Sequence, residues 1–165
     1  MKILHVTPAY YPTTYWGGPI FSVYHMNNAL AELPGVQLRV LTTDSAGPKL
    51  VDRLDVASVD RSQYPNQMVI FTRRVAGVCV SIELLRRLPA LIHWADVVHL
   101  TATFSFSTLP TLALCRLYGK PVVWSFRGAL LDDQNRHAYA SQSAFNRLLK
   151  ATWNRLCRWC ISPDR

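Results

Sequence analysis

The chain has 165 residues, half of them apolar and only 17% charged. That length sets one domain, and that composition excludes an intrinsically disordered protein, because there is ample apolar side chain to bury. No apolar run approaches the ~18 residues of a membrane-spanning helix, and the stretch at 3–6, broken by His5, is too short for a signal peptide. The expected location is therefore cytoplasmic.

Residues 2–7 (KILHVT) read as a first strand that ends before Pro8. A loop of aromatics and glycines at 9–18 leads into a helix at 19–33. Ile20, Val23, Tyr24, Asn27, Leu30 and Ala31 share one face of it, and Pro34-Gly35 stops it. A second strand follows at 36–42. Residues 43–65 are polar, carry Gly47-Pro48 and show no period, so they read as a long loop. The third strand is 67–72. Residues 81–94 read as a helix with Ile82, Leu85, Leu88 and Ile92 as its stripe, kinked or divided by Pro89. The fourth strand is 96–100, followed by a Ser/Thr/Phe loop at 101–107. A helix at 109–118 has Pro110 in its first turn, and the fifth strand is 122–126. After a polar loop at 127–140, the last helix runs over 141–160. Its apolar side is Phe145, Leu148, Leu149, Trp153, Leu156 and Cys160.

This alternation predicts an α/β fold, a Rossmann-like, mostly parallel sheet with helices on both faces. In such a sheet ligands bind beyond the carboxyl ends of the strands. The loops at 8–18, 101–107 and 127–140 are therefore the candidate site.

Charge adds a second expectation. The net charge is +8, and residues 134–163 hold Arg136, Arg147, Lys150, Arg155 and Arg158 with no acidic residue. This suits a phosphate-bearing ligand, an anionic membrane surface or simply a solvated helix face. No helix-turn-helix, zinc-finger or RNA-binding signature accompanies it, so no nucleic-acid partner is expected. The four cysteines, Cys79, Cys115, Cys157 and Cys160, form neither a disulfide framework nor a zinc site with two pairs. They read as buried structural thiols, and no metal site is expected.

Three groups of residues carry chemistry. Tyr15-Trp16-Gly17-Gly18-Pro19 opens the first helix. Two glycines leave the backbone bare, and a helix N-terminus stabilises an anion, although a plain tight turn has the same composition. The pattern is neither G-x-G-x-x-G nor a P-loop, which disfavours a dinucleotide enzyme or an NTPase. His99, Thr101 and Thr103 stand at the end of the fourth strand, where they suit sugar binding or polarisation of a leaving group. His99 alternatively reads as a hydrogen-bonded core residue. Ser125-Phe126-Arg127-Gly128 ends the fifth strand. Arg127 suits a bidentate contact to phosphate or carboxylate, or else a surface pair with Asp132 or Asp133, and Gly128 permits close approach. No nucleophile elbow, H-E-x-x-H or hydrolytic acid pair occurs.

The runs MKILHVTPAYYPTTYWGGPIFSVYHMNNAL and DVVHLTATFSFSTLPTLALCRLYGKPVVWSFRGAL resemble the N-terminal domain of a GT-B-fold glycosyltransferase. They are most similar to the retaining family-4 enzymes that build bacterial polysaccharides and glycolipids, and the likeness covers residues 1–160. The resemblance implies transfer of a hexose from a nucleoside-diphosphate sugar to the hydroxyl of a carbohydrate or lipid-linked acceptor, without a metal or other cofactor. It assigns Gly17 and Gly18 to the donor diphosphate and Arg127 to the reaction centre. Tyr15, Trp16, His99, Thr101, Thr103 and Gly128 fall on the acceptor side. Many members carry a His where this chain has Arg127, so no His role transfers to that position. Members with an Arg-Gly turn often have Pro before the Arg, where this chain has Phe126.

GT-B enzymes place the donor mainly in a second, C-terminal domain. The Glu-x7-Glu motif of that domain is missing, since Glu occurs only at 32 and 83. The expectation is an N-terminal domain incomplete at its C-terminus, lacking the C-terminal donor domain as a partner and inactive alone. The alternative is a non-enzymatic module whose basic last helix, with Trp153 and Trp159, docks on an anionic membrane surface or a partner chain. Both are compatible with a peripheral position on the inner face of the cell membrane.

Overall fold

The computed structural model describes residues 1–126 and 144–161, with side chains over 1–126 and 151–161. The five strands are β1 (Lys2–Val6), β2 (Gln37–Thr43), β3 (Gln67–Thr72), β4 (Val97–Thr101) and β5 (Val122–Ser125). Four α-helices accompany them, α1 (Gly18–Ala31), α2 (Ile82–Trp94), α3 (Thr108–Leu117) and α4 (Ala144–Ile161). The sheet order is β3-β2-β1-β4-β5, and every pairing is parallel.

β1 is central because residues 3–6 can be buried on both sides, and Ile3, Leu4, His5 and Val6 are 0–5% exposed. The pleat sends Leu4, Val6, Val98 and Leu100 into a core with Leu84, Leu88, Ile92, Leu112 and Cys157 of α2, α3 and α4. Ile3, Leu38 and Val40 face the opposite way, against Val23 and Ala31 of α1 and against Val59 and Tyr64. Both faces are thus covered, which is why the strands read as nearly continuous apolar runs.

Two helical expectations need correction. The buried face of α2 is Leu84, Leu88, Leu91 and Ile92, whereas Ile82 is 52% exposed. The Ser81 hydroxyl accepts the Leu84 N–H at 3.2 Å and caps the helix, and from Leu84 the i, i+4, i+7, i+8 spacing turns that set inward. Pro89 does not divide the helix, which runs unbroken to Trp94.

The segment 43–65 is polar, as expected, but it is built into the fold. The Asp44 N–H donates to Thr72 and the Leu54 N–H to Asp44. Asp55 and Asp60 cap two short 3₁₀ turns, Val56–Ser58 and Arg61–Gln63. Val59 and Tyr64 reach the core, and the Tyr64 hydroxyl donates to the Tyr11 carbonyl at 2.6 Å.

The cysteines are free and mostly buried, as expected. Burial pushes the Cys115 thiol up to about 12, the Cys157 thiol to about 11 and the Tyr64 phenol to about 12. In the unfolded chain these groups ionise near their ordinary values of 9 and 10. From about pH 9 upward the unfolded state therefore binds fewer protons than the folded one, and stability falls as pH rises. Each group adds up to about 1.4 kcal/mol per pH unit while the two states differ by a whole proton. The urea midpoint should drop steeply between pH 9 and pH 11, and a flat midpoint would contradict this.

Candidate functional site

Topology fixes where a ligand can sit. From β1 the chain crosses by α1 to β2 on one side, while β4 pairs with β1 on the other. The loops after β1 and β4 therefore diverge and open a crevice at the switch point. The structure has a cleft of about 480 Å³ there.

Thr7, Pro8, Ala9, Trp16, Pro19 and Ile20 line it from the β1 side. Residues 101–105 line it from β4, and Phe126, which follows β5, closes one end. The backbone around β4 is tightly held. Ala102 has φ +78, a left-handed conformation that costs a non-glycine residue roughly 1–2 kcal/mol. Its carbonyl accepts from Trp124 Nε1 at 3.1 Å and Thr108 Oγ1 at 3.3 Å. Trp153 Nε1 of α4 donates to the Thr103 carbonyl at 2.8 Å.

Trp16, Thr101 and Thr103 thus meet in one cleft, as the sequence suggests. Tyr15 stands at its edge, 61% exposed, with its ring edge-on to Trp16 at 4.9 Å. Gly17 and Gly18 lie between the lining residues Trp16 and Pro19. Gly17 is the N-cap of α1, with φ +64, and no side chain caps that helix end. No acidic residue lies in the first turn, so the positive end of the helix is left unneutralised. Pro19 has no N–H, and that of Ile20 bonds back to the Gly17 carbonyl at 3.0 Å. The Gly18 N–H is the first-turn donor left for an anion. Arg127 and Gly128 lie outside the described residues.

His99 is a correction. It belongs to β4 two residues before the strand end, on the same sheet face as Thr101 but short of the residues that line the cleft. It is 7% exposed, its ring lies 4.2 Å from that of His5, and Nε2 meets Ser125 Oγ at 2.8 Å. Of its two readings, the hydrogen-bonded core histidine is the one observed.

Beneath the cleft runs a buried chain of hydrogen bonds with one direction. Tyr10 Oη donates to Gln67 Oε1 at 3.1 Å and therefore accepts from Asn27 Nδ2 at 3.1 Å. That turns Asn27 Oδ1 toward His5 Nδ1, 2.9 Å away, so Nδ1 carries the ring proton. In the neutral ring Nε2 is then an acceptor and takes the Thr101 hydroxyl proton at 2.6 Å. Thr101, a lining residue, has its proton committed to His5 and keeps its lone pairs for a hydroxyl donor in the cleft. Thr101→Val should cost about 0.5–1.5 kcal/mol in urea unfolding, because it removes a 2.6 Å hydrogen bond at the buried His5 ring. Thr101→Ser should recover most of that loss, and equal midpoints for all three chains would refute the assignment. Thr103 Oγ1 is buried without a hydrogen-bond partner on the same wall.

One wall was not expected from the sequence. Val78 and Cys79 line the cleft from a short hairpin in which Ala76 pairs antiparallel with Val80. The legible signal was the apolar run V-A-G-V-C-V at 75–80, with Gly77 at φ +51 in its turn. Burial pushes the Cys79 thiol up, while the Phe106 N–H and Arg74 act against that. The thiol, 8% exposed, forms part of the cleft wall.

A family model described as Glycosyltransferase Family 4 matches residues 16–162. The chain belongs to that family. No curated protein and no solved structure matches it. The parallel, doubly covered sheet is the Rossmann-like architecture of a GT-B N-terminal domain, and the match takes in the Gly17-Gly18 turn, the β4 loop and β5. Glycosyltransfer needs a place for an acceptor hydroxyl and for a departing anion. On the described walls, the Thr101 and Thr103 hydroxyls and the uncapped end of α1 are polar groups that face or flank the cleft. Among the described residues no three His, Cys, Asp or Glu side chains group to hold a metal ion, and no helix is long and apolar enough to cross a membrane.

Proposed function

We propose that this domain binds the acceptor, and reaches the donor diphosphate, in transfer of a hexose from a nucleoside-diphosphate sugar to an acceptor hydroxyl with retained anomeric configuration. The observation that carries this reading is the cleft at the switch point of a family-4 chain, lined by Trp16, Pro19 and the β4 hydroxyls, with the Gly17-Gly18 turn between the two former residues in the chain. Thr101 accepts the acceptor hydroxyl's proton in a hydrogen bond, and Thr103 adds a second polar contact. Trp16, with Tyr15 beside it, packs on the acceptor, and Gly128 allows its close approach. Gly17 and Gly18 offer bare backbone and a helix end to the leaving diphosphate, and Arg127 adds a cation. Such pre-aligned donors and charges stabilise a departing diphosphate without a metal.

In this reading the donor sugar is held mainly by the second, C-terminal domain of a GT-B fold. The product belongs to polysaccharide or glycolipid synthesis. The test is transfer from labelled nucleotide sugars by the full-length gene product, with and without EDTA. Retained label at the acceptor, unchanged by EDTA, is the expected result. Failure with every common nucleotide hexose would refute the reading.

A peripheral position on an anionic membrane face is favoured by α4, where Arg155 and Arg158 are exposed and Trp159 is 53% exposed. The chain should pellet with phosphatidylglycerol vesicles at low salt and be released at high salt, and salt-independent failure to pellet would exclude that position.

A further inference from the structure

The cleft walls have an unusual chemistry for a sugar site. Among the described lining residues there is no charged side chain, no amide and no histidine. The side chains are Pro8, Ala9, Trp16, Val78, Cys79, Phe104 and their like, with a few hydroxyls. Most of those hydroxyls are already engaged. Thr7 Oγ1 donates to the Ala9 carbonyl at 3.1 Å, and Ser105 Oγ pairs with Ser107 and Thr108. A monosaccharide carries a ring of hydroxyls that each need a partner when buried, and among the described residues these walls offer few. An aliphatic chain loses nothing there.

Size and rim point the same way. At about 480 Å³ the cleft is about three times the ~150 Å³ cavity that a single benzene ring occupies. One aromatic ring would leave most of it unfilled. Apolar surface also continues past the mouth, since Val78 is 42%, Phe104 41% and Tyr15 61% exposed.

We propose that the acceptor of this domain carries an aliphatic chain, which lies along Trp16, Val78, Cys79 and Phe104 and holds its hydroxyl head at Thr101 and Thr103. This rests on the reading of the cleft as the acceptor site. It narrows the acceptor from carbohydrate or lipid-linked to the lipid kind.

The test is calorimetric titration of the 165-residue chain with n-butyl to n-decyl β-D-glucosides below their micellar concentrations, with glucose as the control. Affinity should rise about fourfold per added methylene until the cleft is filled, the factor that corresponds to ~0.8 kcal/mol per buried CH₂. Glucose should not bind measurably. Val78→Asp, at a half-exposed hairpin position, should weaken octyl glucoside binding at least tenfold. Phe104→Ser serves as a second variant if Val78→Asp does not fold.

Affinity independent of chain length would overturn the proposal, and so would unchanged binding by folded cleft variants. The outcome separates from that of the transferase reading. Chain-length-dependent binding, abolished in the variants but without transfer by the full-length protein, supports the aliphatic site and sinks the transfer step. Transfer to free sugars with no preference for alkyl glucosides does the reverse.

Discussion

Arg74→Met lowers the unfolding free energy by about 2–5 kcal/mol, one of the largest effects expected of any single substitution in this chain. Two opposing terms decide the sign. Arg74 is 0% exposed, and no described carboxylate lies within ion-pair distance of its guanidinium, while its Nε has no partner at all. Removing a cation from such a place recovers desolvation energy. Against that, the guanidinium donates to Ser45 Oγ at 3.1 Å and to the carbonyls of Gly47 at 2.8 Å, Val78 at 3.2 Å, Asp52 at 2.9 Å and Lys49.

Not all of these acceptors are orphaned by the substitution. The Asp52 carbonyl also accepts from Ala46 and the Lys49 carbonyl from Asp52. The Gly47 and Val78 carbonyls lose their main donor, at about 1–3 kcal/mol each. The Asp44 carboxylate, 6% exposed, keeps the Arg74 N–H at 2.7 Å. The losses win. Arg74→Lys should be nearly as harmful, because one ammonium cannot span acceptors spread over residues 45–78. Urea unfolding measures the stability. Because Arg74 ties segment 45–52 to the hairpin behind Val78, the full-length variant should also show a raised acceptor KM at little-changed kcat. A stability loss below about 1 kcal/mol would mean that the carbonyls find water.

Arg74 also marks the limit of what the sequence discloses. Arg73 and Arg74 are adjacent and identical in type, yet the first is exposed and the second fully buried. Only the end of β3, which turns the one into solvent and the other under segment 45–52, tells them apart. The strands were legible because burial on both faces forces continuous apolar runs, and β3 begins and ends where its pattern does. The α2 face was not, because Ile82, Leu85, Leu88 and Ile92 also satisfy helical spacing, and only packing against the sheet, which buries Leu84 and Leu91 instead of Ile82, tells the two faces apart. The cleft was legible as topology, since the strand-end rule needs only the order of elements. Its inner chain of hydrogen bonds was not, because His5 meets Asn27 and Thr101 across 22 and 96 residues. No local pattern encodes such a contact. The same blindness applied to His99, whose alternation with Thr101 puts both on one sheet face while only the latter reaches the strand's end.

Gly18→Ala should leave the fold intact and yet reduce sugar transfer by on the order of 100-fold, the cost of displacing a reacting group by about an ångström. A Cβ built at Gly18 meets no atom within 4 Å, and its φ lies outside the left-handed range. Nothing within the described residues therefore requires glycine there, and alanine in a helix is favoured by up to about 1 kcal/mol. A residue that costs the folded state something and satisfies no internal contact is best explained by what approaches it from outside. Gly17 is the necessary contrast. Its φ of +64 and ψ of −135 lie where a Cβ is strained, so Gly17→Ala should cost roughly 1–3 kcal/mol and re-aim the start of α1. Lost activity in that variant would not separate binding from folding. In Gly18→Ala it does, provided the melting temperature is equal or higher and the donor KM rises with the acceptor KM unchanged. Full activity in a stable Gly18→Ala enzyme would mean that the diphosphate does not come within van der Waals reach of this turn, and the donor would then have to be held without it.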